Sequence, residues 1–265
     1  MIFVEKRGRF GNFLFQYFLA KYIQKFNKKK IIIFSENENI YNFNSKKNID
    51  SLVNKYFSLP KYTSFLNLWK KKCIYLNDGN YKDKLINIDF LKDNFYYIDG
   101  FFQDIDFIND NLEILRDILD KKKILPIKNF TNSDLTIHIR HLHHELGTLD
   151  ANPEYQEQPN IELYKNVIDQ LKAKKIKVVC SNKNNNTYKN LKDIYKNQIF
   201  LETGNDINDF FQIINSENIV LSNSTYSLWG SFFSNAKNVY VPNIGVLKKI
   251  LKGKNLNLKN NYIYL

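Results

Sequence analysis

Cysteine is nearly absent from this chain: Cys73 and Cys180 stand far apart, outside any CxxC spacing, so neither a disulfide framework nor a zinc site is indicated. Arginine is equally sparse. Arg7, Arg9, Arg116 and Arg140 are the whole set, and the remaining positive charge is lysine. All histidines fall within one short stretch, His138, His141, His143 and His144, which lacks the His-x-x-x-His spacing of a helical zinc site. No apolar run is long enough to span a bilayer, and Met1-Ile-Phe-Val-Glu-Lys-Arg-Gly8 is not patterned as an export signal, so a cytoplasmic protein is expected. P-loop and dinucleotide spacings are missing, as are internal repeats and the signatures of RRM, KH and zinc-finger modules.

What is present is ample core material: of 265 residues 43% are hydrophobic and 15% aromatic, enough for two α/β lobes of ordinary size. A net charge of +12 favours an anionic partner, although lysine and asparagine bias weakens that clue. The rival classes are therefore a basic nucleic-acid-binding α/β protein and a histidine-dependent metallohydrolase.

The chain opens as strand (Met1–Val4), glycine-containing turn (Glu5–Asn12) and helix (Phe13–Phe26), then a strand at Ile31–Phe34. From Ser35 to about Asn94 the signal is poor, and an irregular lobe with a few helices is expected. A strand at Tyr96–Ile98 and a helix over Ile105–Asp120 follow. Pro126 and the polar run Lys128–Asp134 make the inter-lobe linker, giving an N-terminal lobe over 1–127 and a C-terminal lobe over 128–246. In the second lobe short strands alternate with helices, which implies a parallel sheet with crossover helices. The tail, 247–265, carries Lys248, Lys249, Lys252, Lys254 and Lys259 among apolar residues. It reads as a last helix packing back on the N-terminal lobe, or as a surface helix on an acidic membrane.

Three stretches point to chemistry. In Asp134-Leu-Thr-Ile-His-Ile-Arg140 a β-branched run ends in His138 and Arg140, which share a face near the carboxyl end of a strand, where open α/β sheets bind ligands. Gly8-Arg-Phe-Gly-Asn12 is a turn that lets backbone approach a ligand, with Arg9 adding a cation and Asn12 a neutral donor and acceptor. In Ile219-Val-Leu-Ser-Asn-Ser-Thr-Tyr-Ser-Leu-Trp229 a strand breaks into hydroxyl residues before a helix beginning near Leu228. That makes either a phosphate nest, an N-cap by Ser224 or Thr225, or both.

The order of these stretches resembles the α-1,2-fucosyltransferase family (family 11 type) and, more distantly, protein O-fucosyltransferases. The resemblance rests on Gly8-x-x-Gly-Asn12 followed by Phe15-Gln-Tyr17, on Gly100-Phe-Phe-Gln103, His138-x-Arg140 and Ser181-Asn182, and on Asn223-Ser-Thr-Tyr-Ser-Leu-Trp229. It implies a GT-B-like α/β fold, two Rossmann-like lobes with a cleft between them. The implied enzyme is inverting and metal-independent, with no cofactor, and moves a sugar from a GDP-sugar to an oligosaccharide or lipid-linked glycan.

By position in the family pattern, Arg140 would hold the diphosphate. His138, Ser181, Asn182, Ser224, Thr225 and Tyr226 would line the nucleotide, and Arg9, Phe10, Gly11 and Asn12 would act from the other lobe. His143, His144, Glu145 and Asp150 are candidates for the base, with Glu145 and His143 preferred. The chain departs from the family pattern at His141-Leu-His-His-Glu145, at Asn182 and at Leu228, so the donor sugar stays open between fucose and a related deoxysugar or heptose. A peripheral contact with an acidic membrane at its inner face is an expected partner; nucleic acid is not.

Overall fold

A computed structural model describes residues 1–34, 73–86, 94–118, 133–140, 154, 156–202, 204 and 206–265. The chain divides into two compact units, Met1–Leu125 and Pro126–Leu265.

The first unit contains β1 (Ile2–Glu5), α1 (Phe10–Asn27), β2 (Ile31–Phe34), β3 (Ile74–Leu76), α2 (Tyr81–Leu85), β4 (Tyr96–Ile98), α3 (Ile105–Asn109) and α4 (Glu113–Ile118). Its strands are all parallel in the order β2-β1-β4-β3, with Ile2 opposite Ile31 on one side and Tyr96 on the other. Ile2, Val4, Ile31, Ile33, Tyr96 and Ile98 are buried, as near-continuous apolar runs must be when both faces of a parallel sheet are covered.

The first helix starts at Phe10, three residues ahead of the expected Phe13. The chain turns at Gly8, whose φ is +67°, and extended Arg9 is the N-cap, so Gly11 and Asn12 lie in the first helical turn instead of a loop. From Phe13 to Ala20 every side chain of α1 is buried, so this helix is covered on all sides rather than amphipathic. The single helix expected over 105–120 is two short ones. Asp104 caps the first, accepting from Asp106 N at 3.1 Å and Phe107 N at 3.2 Å. In the poorly patterned stretch from 35 to 94 the described residues form β3 and α2.

The second unit contains β5 (Leu135–His138), α5 (Ile161–Leu171), β6 (Ile176–Val179), α6 (Asn186–Tyr195), β7 (Ile199–Glu202), α7 (Asp206–Ile214), β8 (Asn218–Val220), α8 (Thr225–Phe233), β9 (Asn238–Val241), α9 (Gly245–Leu251) and β10 (Asn261–Tyr264). All six strands are parallel, in the order β10-β9-β8-β5-β6-β7. The chain winds outward from β5 through β6 to β7, then crosses to β8 and winds the other way. Between β5 and β8 it therefore has a topological switch point, the place where doubly wound sheets take ligands. Ile137, Val178 and Val220 are fully buried near it; each such side chain contributes about 1.5–3 kcal/mol.

Asparagines pin the opposite end of this sheet. Asn261 Nδ2 donates to Asn238 Oδ1 at 3.1 Å, Asn238 Nδ2 to Asn218 Oδ1 at 2.8 Å, and Asn218 Nδ2 to the Asp134 carbonyl at 2.8 Å. A one-residue slip of any of these strands would break the ladder and turn its apolar residues outward. The tail lies in the second unit, and its residues 261–264 are an edge strand of that unit's sheet, paired with β9. In α9, Val246, Leu247, Ile250 and Leu251 are buried while Lys248 and Lys249 are exposed, so its apolar face is not available to a membrane.

Candidate functional site

At the carboxyl end of β5 the side chain of His138 is buried, and its Nδ1 lies 2.7 Å from Ser222 Oγ at the end of β8. Burial first, and the Arg140 charge second, push this imidazole down to about 3, so the ring is neutral at physiological pH and orients rather than carries charge. Two residues on, Arg140 is half-buried, and its Nη1 donates to the Asn223 carbonyl at 2.9 Å. The expected cation is thus positioned beside the switch point by a backbone carbonyl.

The helix after β8 begins at Thr225, not near Leu228. Ser224 is its N-cap, accepting from Tyr226 N at 3.2 Å, and no acidic side chain sits in the first turn. Both alternatives raised for this stretch stay compatible, because a capping hydroxyl accepts one bond and keeps its own O–H. Ser227 turns inward, donating to the Ser224 carbonyl at 3.1 Å. The Tyr226 hydroxyl is committed to the Asp206 carbonyl, and its ring lies 5.5 Å from His138 and 5.0 Å from Phe210. Ser181 and Asn182 lie just past the end of β6, on the same sheet edge. There Asn182 Oδ1 accepts from Asn184 N at 2.9 Å and closes a tight turn.

Two residues that sequence reasoning did not single out organise this edge. Asn223 is fully buried: Nδ2 donates to the carbonyls of Glu154 at 2.7 Å and Glu157 at 3.0 Å, and Oδ1 accepts from Val246 N at 2.8 Å. One amide thereby ties the segment around 154–157 and the start of α9 to the Arg140 anchor. Gly245 makes the approach possible. Its φ is +46°, and a Cβ there would fall 2.2 Å from Asn223 Nδ2 and 2.3 Å from the Glu154 carbonyl.

The second is Asp209, 6% exposed on α7, whose Oδ1 accepts from Gly204 N at 2.9 Å. Burial, with the nearby Asp206 and Glu202 carboxylates, pushes its carboxyl up to about 7. A buried acid poised near neutrality beside a ligand-binding sheet edge is a mark of function. The signal available in sequence was only its place after a strand.

The first-unit candidates gather past the carboxyl ends of the neighbouring strands β1 and β4. Asn12 Oδ1 accepts from Gln103 Nε2 at 2.9 Å, so the Gly8–Asn12 and Gly100–Gln103 stretches meet although they are far apart in sequence. Arg9 is exposed, Phe10 half-buried and Gly11 buried in the first turn of α1. Asp78 accepts from Phe101 N at 2.9 Å and Phe102 N at 2.5 Å, and a Cβ on Gly100 would sit 2.8 Å from its Oδ2. These two bonds hold Phe102 at φ +51°, a conformation costing about 1–3 kcal/mol in a residue with a side chain. Arg7 donates from Nε to Asp99 at 2.6 Å and pairs with Glu5 at 3.2 Å, which matches its charge with two carboxylates. His143 and Glu145, with His141, His144 and Asp150, lie outside the described residues. Among the described residues no cluster of three or more His, Cys, Asp or Glu is arranged to hold a metal ion, and no helix is long and apolar enough to cross a membrane.

Residues 1–265 match the family described as glycosyl transferase family 11. The chain belongs to that family. In fold this family 11 glycosyltransferase is similar to Arabidopsis thaliana FUT1, solved as a mutant in complex with GDP, at 10% identity, with 91% of this chain and 70% of that one covered and a TM-score of 0.52. It is similar also to NodZ α-1,6-fucosyltransferase co-crystallised with GDP, at 11% identity, with 88% and 92% covered and a TM-score of 0.51. No curated protein matches its sequence. At such identities the likeness concerns the fold, a GT-B-like α/β arrangement of two parallel-sheet units.

Proposed function

We propose that this glycosyltransferase moves fucose, or a related deoxysugar or heptose, from a GDP-sugar to a hydroxyl of an oligosaccharide or lipid-linked surface glycan, with inversion and without a metal ion. The observation that carries the reading is the Arg140 guanidinium, set by the Asn223 carbonyl beside the hydroxyl-lined start of α8. Breaking the bond between the anomeric carbon and the diphosphate sends its electron pair to a phosphate oxygen. The growing negative charge there needs fixed donors that cost no reorganisation. A planar guanidinium can bind two phosphate oxygens at once, and the first N–H groups of α8 add the positive end of a helix dipole.

His138, neutral and bonded to Ser222, packs against Tyr226 and completes the wall of the nucleotide site. Asp209, buried on α7, accepts from Gly204 N and helps to hold the carboxyl edge of this sheet in place. That FUT1 and NodZ structures of similar fold hold GDP supports this nucleotide. Arg9 and Asn12 retain their roles toward the sugar and phosphates, and Ser181, Asn182 and Thr225 theirs toward the nucleotide. Glu145 or His143 takes the proton of the acceptor hydroxyl as the new bond forms on the opposite face of the sugar. The chain works in the cytoplasm, and any peripheral contact with an acidic membrane rests on the charge of the tail lysines alone.

The test is a thermal-shift panel of GDP, GDP-fucose, GDP-mannose, ADP and UDP, with and without EDTA. A ligand at about a hundred times its dissociation constant stabilises by about 2.7 kcal/mol, which raises melting by about 5–10 °C in a protein of this size. The expected result is a rise with the guanine nucleotides only, unchanged by EDTA. Equal shifts with UDP or ADP, or none with GDP, would overturn the reading.

A further inference from the structure

Resting on the reading of the chain as a glycosyltransferase, we infer that the carboxyl edge of the first sheet, where the neighbouring strands β1 and β4 end, is a subsite for a sugar ring of the acceptor glycan, with Phe101 as its platform.

The segment Gly100–Gln103 is built to expose a phenylalanine. Phe102 is 4% exposed, with its ring edge-on to Tyr81 at 5.3 Å, and it occupies the left-handed region that residues with side chains avoid. Asp78 enforces that conformation by accepting both the Phe101 and the Phe102 N–H. The consequence falls on Phe101, which is left 40% exposed although a relaxed backbone would have many ways to cover it. Strain held in place by a dedicated carboxylate is a feature of binding sites rather than of loops in general.

The surroundings of that ring fit a neutral polyol. Gln103 is tethered to Asn12, so two planar amides stand in fixed positions at this edge. Tyr75, 44% exposed, lies stacked on Tyr97 at 5.7 Å and gives its hydroxyl to Asp99 at 2.5 Å. Arg7 is matched by Glu5 and Asp99, so its charge is already met by carboxylates of the protein. Sugar rings present a weakly positive C–H face, which an aromatic face attracts, and a rim of hydroxyls, which amides and carboxylates bind. An exposed ring among fixed amides, at the edge where parallel sheets take ligands, is that combination.

The test uses saturation-transfer NMR on the full chain with lactose, maltose, chitobiose and mannobiose as probes, beside the GDP thermal shift as a separate reading of the nucleotide site. Wild type is expected to transfer saturation to at least one disaccharide. Phe101→Ala should weaken that binding about tenfold or more, while Phe101→Trp keeps it and both variants keep the wild-type GDP shift and melting temperature. A disaccharide signal that survives Phe101→Ala, or its absence from the wild type, overturns the subsite. Loss of the GDP shift in the wild type would instead overturn the functional reading on which it rests.

Discussion

Replacing Asn223 by alanine tests whether the nucleotide edge is held together by one amide. The substitution removes three hydrogen bonds made by a side chain with no solvent exposure. The Val246 N–H, on a buried residue, is left without an acceptor, at a cost of about 1–3 kcal/mol. The Glu154 and Glu157 carbonyls belong to a segment that water can reach, so each costs less, about 0.5–1.5 kcal/mol. Together these give about 2–6 kcal/mol, which lowers the melting temperature by about 4–24 °C at this chain length.

Asn223→Asp separates hydrogen bonding from volume. It keeps the acceptor for Val246 but turns a carboxylate toward two carbonyls, so it should be no more stable than alanine. The Arg140 acceptor is the backbone carbonyl of residue 223 and survives both changes, so GDP should still bind the folded variants, with affinity reduced only as far as the turn relaxes. Differential scanning fluorimetry with and without GDP reads both effects. An Asn223→Asp protein melting within about 2 °C of wild type would refute the argument, since isosteric repulsion at a buried amide cannot be neutral.

Arg140→Ala should leave the melting temperature of the free protein near wild type while removing the GDP shift and transfer activity; Arg140→Lys should recover only part, because a point charge lacks the planar fork. Turnover within a few-fold of wild type in Arg140→Ala would exclude its role. The buried acid and the buried imidazole oppose one another with pH. Asp209, raised to about 7, keeps its proton in the fold after the unfolded chain has lost it, so its contribution to stability falls as pH rises from about 4 to 7. His138, lowered to about 3, stays neutral in the fold while the unfolded chain protonates, so its contribution is lost as pH falls from about 6.5 toward 3. Asp209→Asn should therefore steepen the gain in melting temperature between pH 5 and 7 relative to wild type, and parallel pH profiles would reject this. Asp78→Ala, by freeing the backbone at Phe102, should weaken disaccharide binding without touching the GDP shift.

Elements with strong local pattern were legible in the sequence: the second-unit strands and the helices between them fall within a few residues of where alternation places them, because apolar runs covered on both faces have little else to become. Legibility failed where a partner distant in sequence decides the outcome. The strand at 261–264 has half-exposed apolar positions and reads as tail; it is a strand because Asn261 continues a ladder begun at Asn218 and Asn238. Helix α1 starts early because Gly8 turns the chain before Arg9, a choice that a following apolar run does not reveal. The stretch 35–72 carries too little periodicity to assign from sequence, and it lies outside the described residues.

The site shows the same division. Arg140 and His138 could be found because a strand end carries them in a fixed two-residue relation, and Ser224 because hydroxyls before a helix have a local meaning as caps. Asn223, Asp78 and Asp209 gave no such sign, since each acts through carbonyls or N–H groups whose nearness is created only by the fold. The two sheets meet this need in parallel ways. At the carboxyl edge of each sheet a polar side chain, buried Asn223 in one and exposed Asp78 in the other, grips backbone from a neighbouring segment, beside the guanidinium of Arg140 in the second unit and the ring of Phe101 in the first. Exchanging Asp78 should therefore damage disaccharide binding and spare the GDP shift, whereas exchanging Asn223 lowers stability and leaves disaccharide binding untouched. Coupled loss of GDP and disaccharide binding in Asp78→Ala would show that the two edges do not act independently.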